Sequence, residues 1–298
     1  MIDAFLALGL ASLASVSAIL QEPPARKPSA SDVRTREAYV SVQDNKDVPV
    51  TGLTAADFSV REDGATREVL RAGPATAPLQ VILLVDDSEA LTPALQPMRE
   101  GLTKFIEKLQ GHAEIGIVTV GDRPTSLVPS TTEINTLKRG ITRIFARSGS
   151  GAYLLDGIVD VSQGFQRRKA ERPVIVAVTL EGIEFSNQQP ETVLKALDTS
   201  GAALHVLSVG MPSSSMTDET RNLNRVVADG SQRTGGRRDQ VLAASGLAEA
   251  LPRVADDLLN QYVVTYGRPD TLIPPEKLQV TVSRPGVTVR ARTRISGR

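Results

Sequence analysis

The chain has 298 residues, with 34 lysines and arginines against 34 aspartates and glutamates, two histidines and no cysteine. That length allows one large or two modest domains, and the charge balance leaves no net field to recruit nucleic acid or an anionic membrane. Disulfides, thiolate metal sites and a cysteine nucleophile are excluded, as is a cage of several histidines.

In chain order, residues 4–20, AFLALGLASLASVSAIL, form an uncharged apolar run with the small residues Ser17 and Ala18 near its end. Residues 1–20 are expected to be a secretory signal peptide cut after Ala18, although MID lacks the usual basic start. An uncleaved N-terminal anchor is the alternative. Either way the protein is expected to be exported: periplasmic, cell-surface or secreted. Residues 21–35, rich in Pro, Ala and Ser, read as a flexible linker.

Residues 36–76 carry short alternating segments and a turn dipeptide, Asp63-Gly64, that suits a hairpin. Residues 261–296 return to that texture in NQYVVTYGRP, KLQVTVSRPG and VTVRARTRI. Neither flank is long enough for its own core, so the two are expected to pair as a small β-sandwich.

Residues 77–260 differ. The apolar runs VILLV, EIGIVTV, VIVAVTL and ALHVLSVG alternate with helical stretches at 93–109, 133–146, 154–166, 190–200, 218–234 and 247–259. Apolar runs without alternation are what strands buried on both faces look like. Strands that alternate with helices predict an α/β class, a doubly wound and mainly parallel sheet of Rossmann-like type. Ligand groups in such sheets collect at the carboxyl ends of strands, near the switch in strand order.

The stretch with chemical promise is LQVILLVDDSEAL, residues 79–91, where an apolar run ends in Asp86, Asp87 and Ser88. A receiver domain with a Mg²⁺-binding acid pair would need a lysine after ALHVLSVG, and beyond residue 196 the only lysine is Lys277. That reading fails. Asp86 at a strand end could cap the following helix, while Asp87 and Glu89 read as solvent-facing or first-turn acids. An acid/base pair of Asp86 and Glu181 would suit a hydrolase, but no nucleophile elbow or phosphate loop accompanies it. No catalytic residue and no organic cofactor is expected. His205 reads as a strand residue with a satisfied ring, His112 as exposed, and Arg233, Arg237 and Arg238 as a solvated turn. TGGRR reads as a helix-capping glycine that feeds a strand, and residues 212–216, PSSSM, as a mobile loop.

The ordered set VPVTGLTAADFSVREDG, ILLVDDSEAL, GAYLLDGI, VIVAVTLEG, RTGGR and LLNQYVVTY resembles the von Willebrand factor type A domain family, in particular its acidobacterial members. The resemblance implies an interaction module with a metal-ion-dependent adhesion site built on D-x-S-x-S, a threonine and a TDG aspartate. Asp86 and Ser88 match the first two ligands, Ala90 stands at the second serine and Ala152 at the threonine. Glu181 takes the place of the aspartate. Ser148 or Ser150 would restore one hydroxyl if the loop alignment slips. The implied metal set is therefore Asp86, Ser88 and Glu181, a degenerate site for Mg²⁺ or another divalent ion. The function implied is non-catalytic binding of a protein partner, with metal dependence weak or lost. A Mg²⁺-bridged adhesion, a hydrolase and an inert structural module are the rivals. No nucleic-acid partner is expected, and no membrane contact beyond an N-terminal anchor.

Overall fold

The computed structural model describes residues 33–211, 217–269 and 273–295. The leader, most of the linker and the loop at 212–216 lie outside them. Among the described residues no helix is long and apolar enough to cross a membrane.

The middle of the chain is a six-stranded sheet in the order β10-β9-β8-β5-β6-β7. Its members are β5 (Leu79–Val85), β6 (Ala113–Thr119), β7 (Thr125–Thr131), β8 (Pro173–Leu180), β9 (Ala203–Val209) and β10 (Arg238–Val241). All pairings are parallel except that of β7 with β6. β5 is central and carries no exposed residue along its length, which explains its unbroken apolar run. Helices α1 (Leu95–Lys108), α2 (Ile134–Thr142) and α6 (Leu247–Leu259) cover one face, burying Met98, Leu102, Phe105, Ile141 and Leu251. Helices α3 (Leu154–Arg168), α4 (Pro190–Ser200) and α5 (Asp218–Thr234) cover the other with Leu155, Ile158, Phe165, Val193 and Val226.

The elements differ from the sequence reading at several points: β1 (Val33–Gln43) begins inside the segment read as linker, and α1 begins at Leu95, after a 3-10 turn, rather than at 93. β7 was not expected: it is an antiparallel edge strand with exposed positions and a proline at 129, features that mask a strand pattern. α2 stops at Thr142 rather than at 146. The Arg99 guanidinium takes the carbonyls of Thr142 and Ile144, so residues 143–146 leave the helix.

The flanks do pair. β1 (Val33–Gln43) lies between β11 (Tyr262–Pro269) and β13 (Thr288–Ala291), and β4 (Val69–Pro74) adds beyond β11. A second sheet joins β2 (Phe58–Glu62) to β12 (Leu278–Val282) and β3 (Ala65–Arg67). Val40, Val42, Phe58, Val60, Val264 and Tyr266 fill the space between them, the inner-face packing of a sandwich.

A buried polar network fastens this sandwich to the α/β half. Gln43 of β1 donates to Asp257 of α6 at 3.0 Å, and Arg290 of β13 ion-pairs with the same carboxylate. Arg237, at the entry to β10, reaches Gln43, Asp47 and Asp239. Arg237 is therefore buried, not part of a solvated turn. His205 is wholly buried; its Nδ1 accepts from the Arg237 amide at 3.2 Å, and its Nε2 has no partner among the described residues. Burial pulls its pKa down to about 3, so the ring stays neutral.

Candidate functional site

The strand order reverses about β5: the chain runs outward through β6 and β7, then returns to β5's other side with β8. The carboxyl ends of β5 and β8 thus border the crevice where such folds place their ligands. Asp86 to Ser88 follow β5, and Glu181 follows β8.

Asp86 is buried. Its Oδ1 accepts from the Ser88 amide at 3.0 Å and its Oδ2 from the Leu180 amide at 3.1 Å. The carboxylate so folds back onto Ser88, the residue before the 3-10 turn Glu89–Ala94, and ties β5 to the end of β8. Burial raises its pKa, opposed by bonds from the Ser88 side chain and amide. Asp87 is buried as well, contrary to the solvent-facing expectation. Its Oδ1 accepts from the Gly121 amide at 2.6 Å and its Oδ2 pairs with Arg147 Nε at 2.8 Å. The Arg147 amide also donates to the Asp87 carbonyl at 2.9 Å, so Asp87 fastens the start of the 147–151 loop to the end of β5. Nothing in DDSEAL announces this, because the partner lies sixty residues on. Glu89 is exposed and caps the Gly149 amide at 3.0 Å.

Gly121 comes so close to this turn that a Cβ would stand 2.5 Å from the Asp87 carbonyl carbon and the Ser88 nitrogen. Gly121→Ala is expected to cost about 2 kcal/mol, the usual overpacking penalty. Urea unfolding measures it, and an unchanged midpoint would contradict the contact.

Glu181 is exposed, and its carboxylate accepts from the Met211 amide at 3.2 Å. No hydrogen bond joins it to Asp86, whose oxygens serve the amides above, so the two do not share a proton. Ala90 faces Gly182. Ala152 is buried and pairs through its backbone with the segment after β8: its amide donates to the Ile183 carbonyl and its carbonyl accepts from Phe185, both at 2.7 Å. Ser150 spends its hydroxyl on the Arg147 carbonyl. Among the described residues no three His, Cys, Asp or Glu side chains gather around a point that could hold a metal ion.

One acid escaped the sequence reading. Glu184, just past Glu181, is buried, and its carboxylate faces the Leu154, Leu155 and Ser186 amides at 3.2–3.5 Å. The Ser186 hydroxyl accepts from the Asp156 amide. The first turn of α3 has no cap from its own Tyr153, so this neighbouring segment satisfies its free N–H groups. Burial outweighs those bonds and pushes the Glu184 carboxyl up to about 7.

The loops over this end of the sheet carry the exposed apolar residues. Among the described residues eight large hydrophobic side chains stand well exposed, and five of them, Phe145, Ile183, Phe185, Met211 and Leu242, lie here. Phe145 and Phe185 line one cleft with Asp122 and Tyr153, and the Tyr153 and Phe185 rings are 5.9 Å apart.

An open, mainly parallel α/β sheet with helices on both faces and loops gathered at its switch point defines a Rossmann-like α/β domain. Residues 81–181 match the family model of the von Willebrand factor type A domain. Among solved structures, proximal thread matrix protein 1 from the mussel byssus is similar with a TM-score of 0.52 at 14% identity, covering 67% of this chain and 50% of that one. BatB from Bacteroides thetaiotaomicron aligns with a TM-score of 0.47 at 17% identity over 59% of this chain and 96% of its own. A von Willebrand factor type A protein from Catenulispora acidiphila aligns with 0.46 at 13% identity over 91% and 78%. No curated protein matches the sequence.

Proposed function

We propose that the protein is a non-catalytic interaction module that holds a protein partner on the loops at the carboxyl end of its sheet, by apolar contact rather than through a bridging ion. The observation that carries this is the concentration there of Phe145, Ile183, Phe185, Met211 and Leu242. Exposed apolar side chains gathered on one face mark interaction surfaces, and aromatic groups dominate the energetics of such contacts. The family's metal-bridged mode is disfavoured by the donor set. A hard divalent ion wants about six oxygens. Here Ala90 and Ala152 offer none, both Asp86 oxygens serve backbone amides, and Glu181 is drawn toward Met211. Asp86 and Ser88 are the residues that would hold such an ion, with Glu181 the third. Export, through the apolar N-terminal run, belongs to the same proposal and places the partner outside the cytoplasm.

The test captures partners from an extract of the native source with the wild-type protein, with EDTA present, and with a Phe145→Ser, Ile183→Ser, Phe185→Ser variant. A partner retained in EDTA and lost with the variant is the expected result. A partner lost in EDTA and kept by the variant would overturn the reading in favour of Mg²⁺-bridged adhesion. Consistent with the proposal, millimolar Mg²⁺, Mn²⁺ or Ca²⁺ is expected to leave the thermal midpoint unchanged, since any ion bound only by the folded state must raise it.

A further inference from the structure

At the opposite end of the sheet, between the sandwich and the amino ends of β8 and β9, lies a cavity of about 260 Å³. It approaches the lower limit of small-ligand pockets, roughly 300 Å³. Ala38, Val174, Ala203, Leu278 and Ile295 give it apolar walls, and Tyr39 and Tyr266 add aromatic ones.

Its charges are lopsided. Five arginines line it, at 36, 172, 268, 292 and 294, against two acids, Glu37 and Glu171. Three of the arginines have carboxylate partners: Arg268 with Glu62 at 2.9 Å, Arg294 with Glu276 at 3.2 Å and Arg292 with Asp198 at 3.8 Å. The other two have none among the described residues. Arg172 is only 4% exposed, and its terminal nitrogens bind the Ala77 and Leu258 carbonyls and the Gln261 side chain at 2.7–3.0 Å. Its guanidinium lies over the Tyr39 ring, 5.1 Å from the centroid. The Arg36 side chain makes no hydrogen bond and no ion pair among the described residues, and its buried Nε has no partner. The two acids do not compensate: both are exposed, and Glu37 stands 3.9 Å from Arg71.

Buried cations in proteins are paired, because an unpaired charge taken from water is costly. Here the interior holds a guanidinium without a carboxylate, beside a second cation with free hydrogen-bonding capacity and an empty space with apolar walls. We propose that this cavity binds a small organic carboxylate. Arg36 docks the carboxylate, Arg172 supplies fixed positive charge, and the apolar body packs between the tyrosines and the aliphatic wall. The ligand would touch β1 and β11 of the sandwich together with β8 and β9, so it would also brace the two halves against each other.

Isothermal titration calorimetry of the full chain with benzoate, at constant ionic strength, tests this. Saturable binding is expected for the wild type, a loss of tenfold or more for Arg36→Gln, and no binding of the neutral benzamide. Ala203→Leu, which fills the cavity without removing charge, is expected to abolish binding too; thermal unfolding verifies that both variants fold. Absence of benzoate binding, equal binding of benzamide, or indifference to Arg36→Gln and Ala203→Leu would each overturn the proposal. Inorganic phosphate binding as tightly as benzoate would overturn the assignment to a carboxylate with an apolar body.

Discussion

Replacing Asp257 by alanine is expected to lower the unfolding free energy by about 3–5 kcal/mol, the range for breaking a buried pair by removing one partner. Asp257 is 2% exposed and is the acceptor for both Gln43 and Arg290. Without it, Arg290 keeps a largely buried charge with no counter-ion, and the buried Gln43 amide loses its acceptor. The loss should fall on the whole molecule, because the three residues belong to α6, β1 and β13, and so to both halves of the fold. The double variant Asp257→Ala, Arg290→Met should recover part of it, since no orphan charge remains. Urea denaturation followed by far-ultraviolet circular dichroism measures both. A single-variant cost below about 1 kcal/mol would show that the network does not join the halves.

Glu184 makes the second large effect, and it depends on pH. Its carboxyl rises from an ordinary value of 4.5 to about 7 in the fold, chiefly through burial. Between those values the native state holds a proton that the unfolded chain has released, so the slope of unfolding free energy with pH is negative. The contribution of Glu184 to stability is thus complete below about pH 4.5 and lost as pH rises through about 7. The integrated change is about 3 kcal/mol, at 1.36 kcal/mol per pH unit. Glu184→Gln keeps an acceptor for the Leu154 and Leu155 amides but cannot ionise. It is expected to flatten the stability curve between pH 4.5 and 8 and to exceed the wild type at pH 8. Urea midpoints across that range decide it; parallel curves for the two proteins would refute the assignment.

Much of the architecture was legible because the chain punctuates it strongly. α4 begins at Pro190 and ends at Gly201, whose φ of 76° is the left-handed conformation that stops helices. α5 begins after Thr217, which caps the Thr220 amide, and ends at Gly235, again at 76°. Both helices, and α6, have the bounds their sequence predicts. β7 was not legible, since an edge strand with a proline and exposed positions lacks the buried-strand signature. At the site, the strand ends that carry Asp86 and Glu181 followed from the α/β pattern, and Ala90 and Ala152 followed from the resemblance. The roles of Asp87 and Glu184 did not. Asp87 looked like a surface acid because its partners, Gly121 and Arg147, are distant in sequence. Glu184 looked like ordinary loop because its work is done for a helix thirty residues earlier. Burial of an acid depends on contacts that no local pattern encodes.

The pairing of β1 with β11 places Val33 opposite Pro269 and Val40 opposite Tyr262. The sandwich is therefore split in sequence, and everything from β5 to α6 is an excursion between its two parts. Strands joined across so long a loop gain nothing until their partners exist, so their formation is slow and late. On the ribosome, β1 to β4 emerge with a major partner strand still unmade, while the α/β half can already collapse around β5. Until β11 follows, β1 is an open strand edge, and open edges are what chains use to pair with the wrong neighbour. The step most exposed to misassembly in this protein is thus the closing of the clasp around an already folded domain.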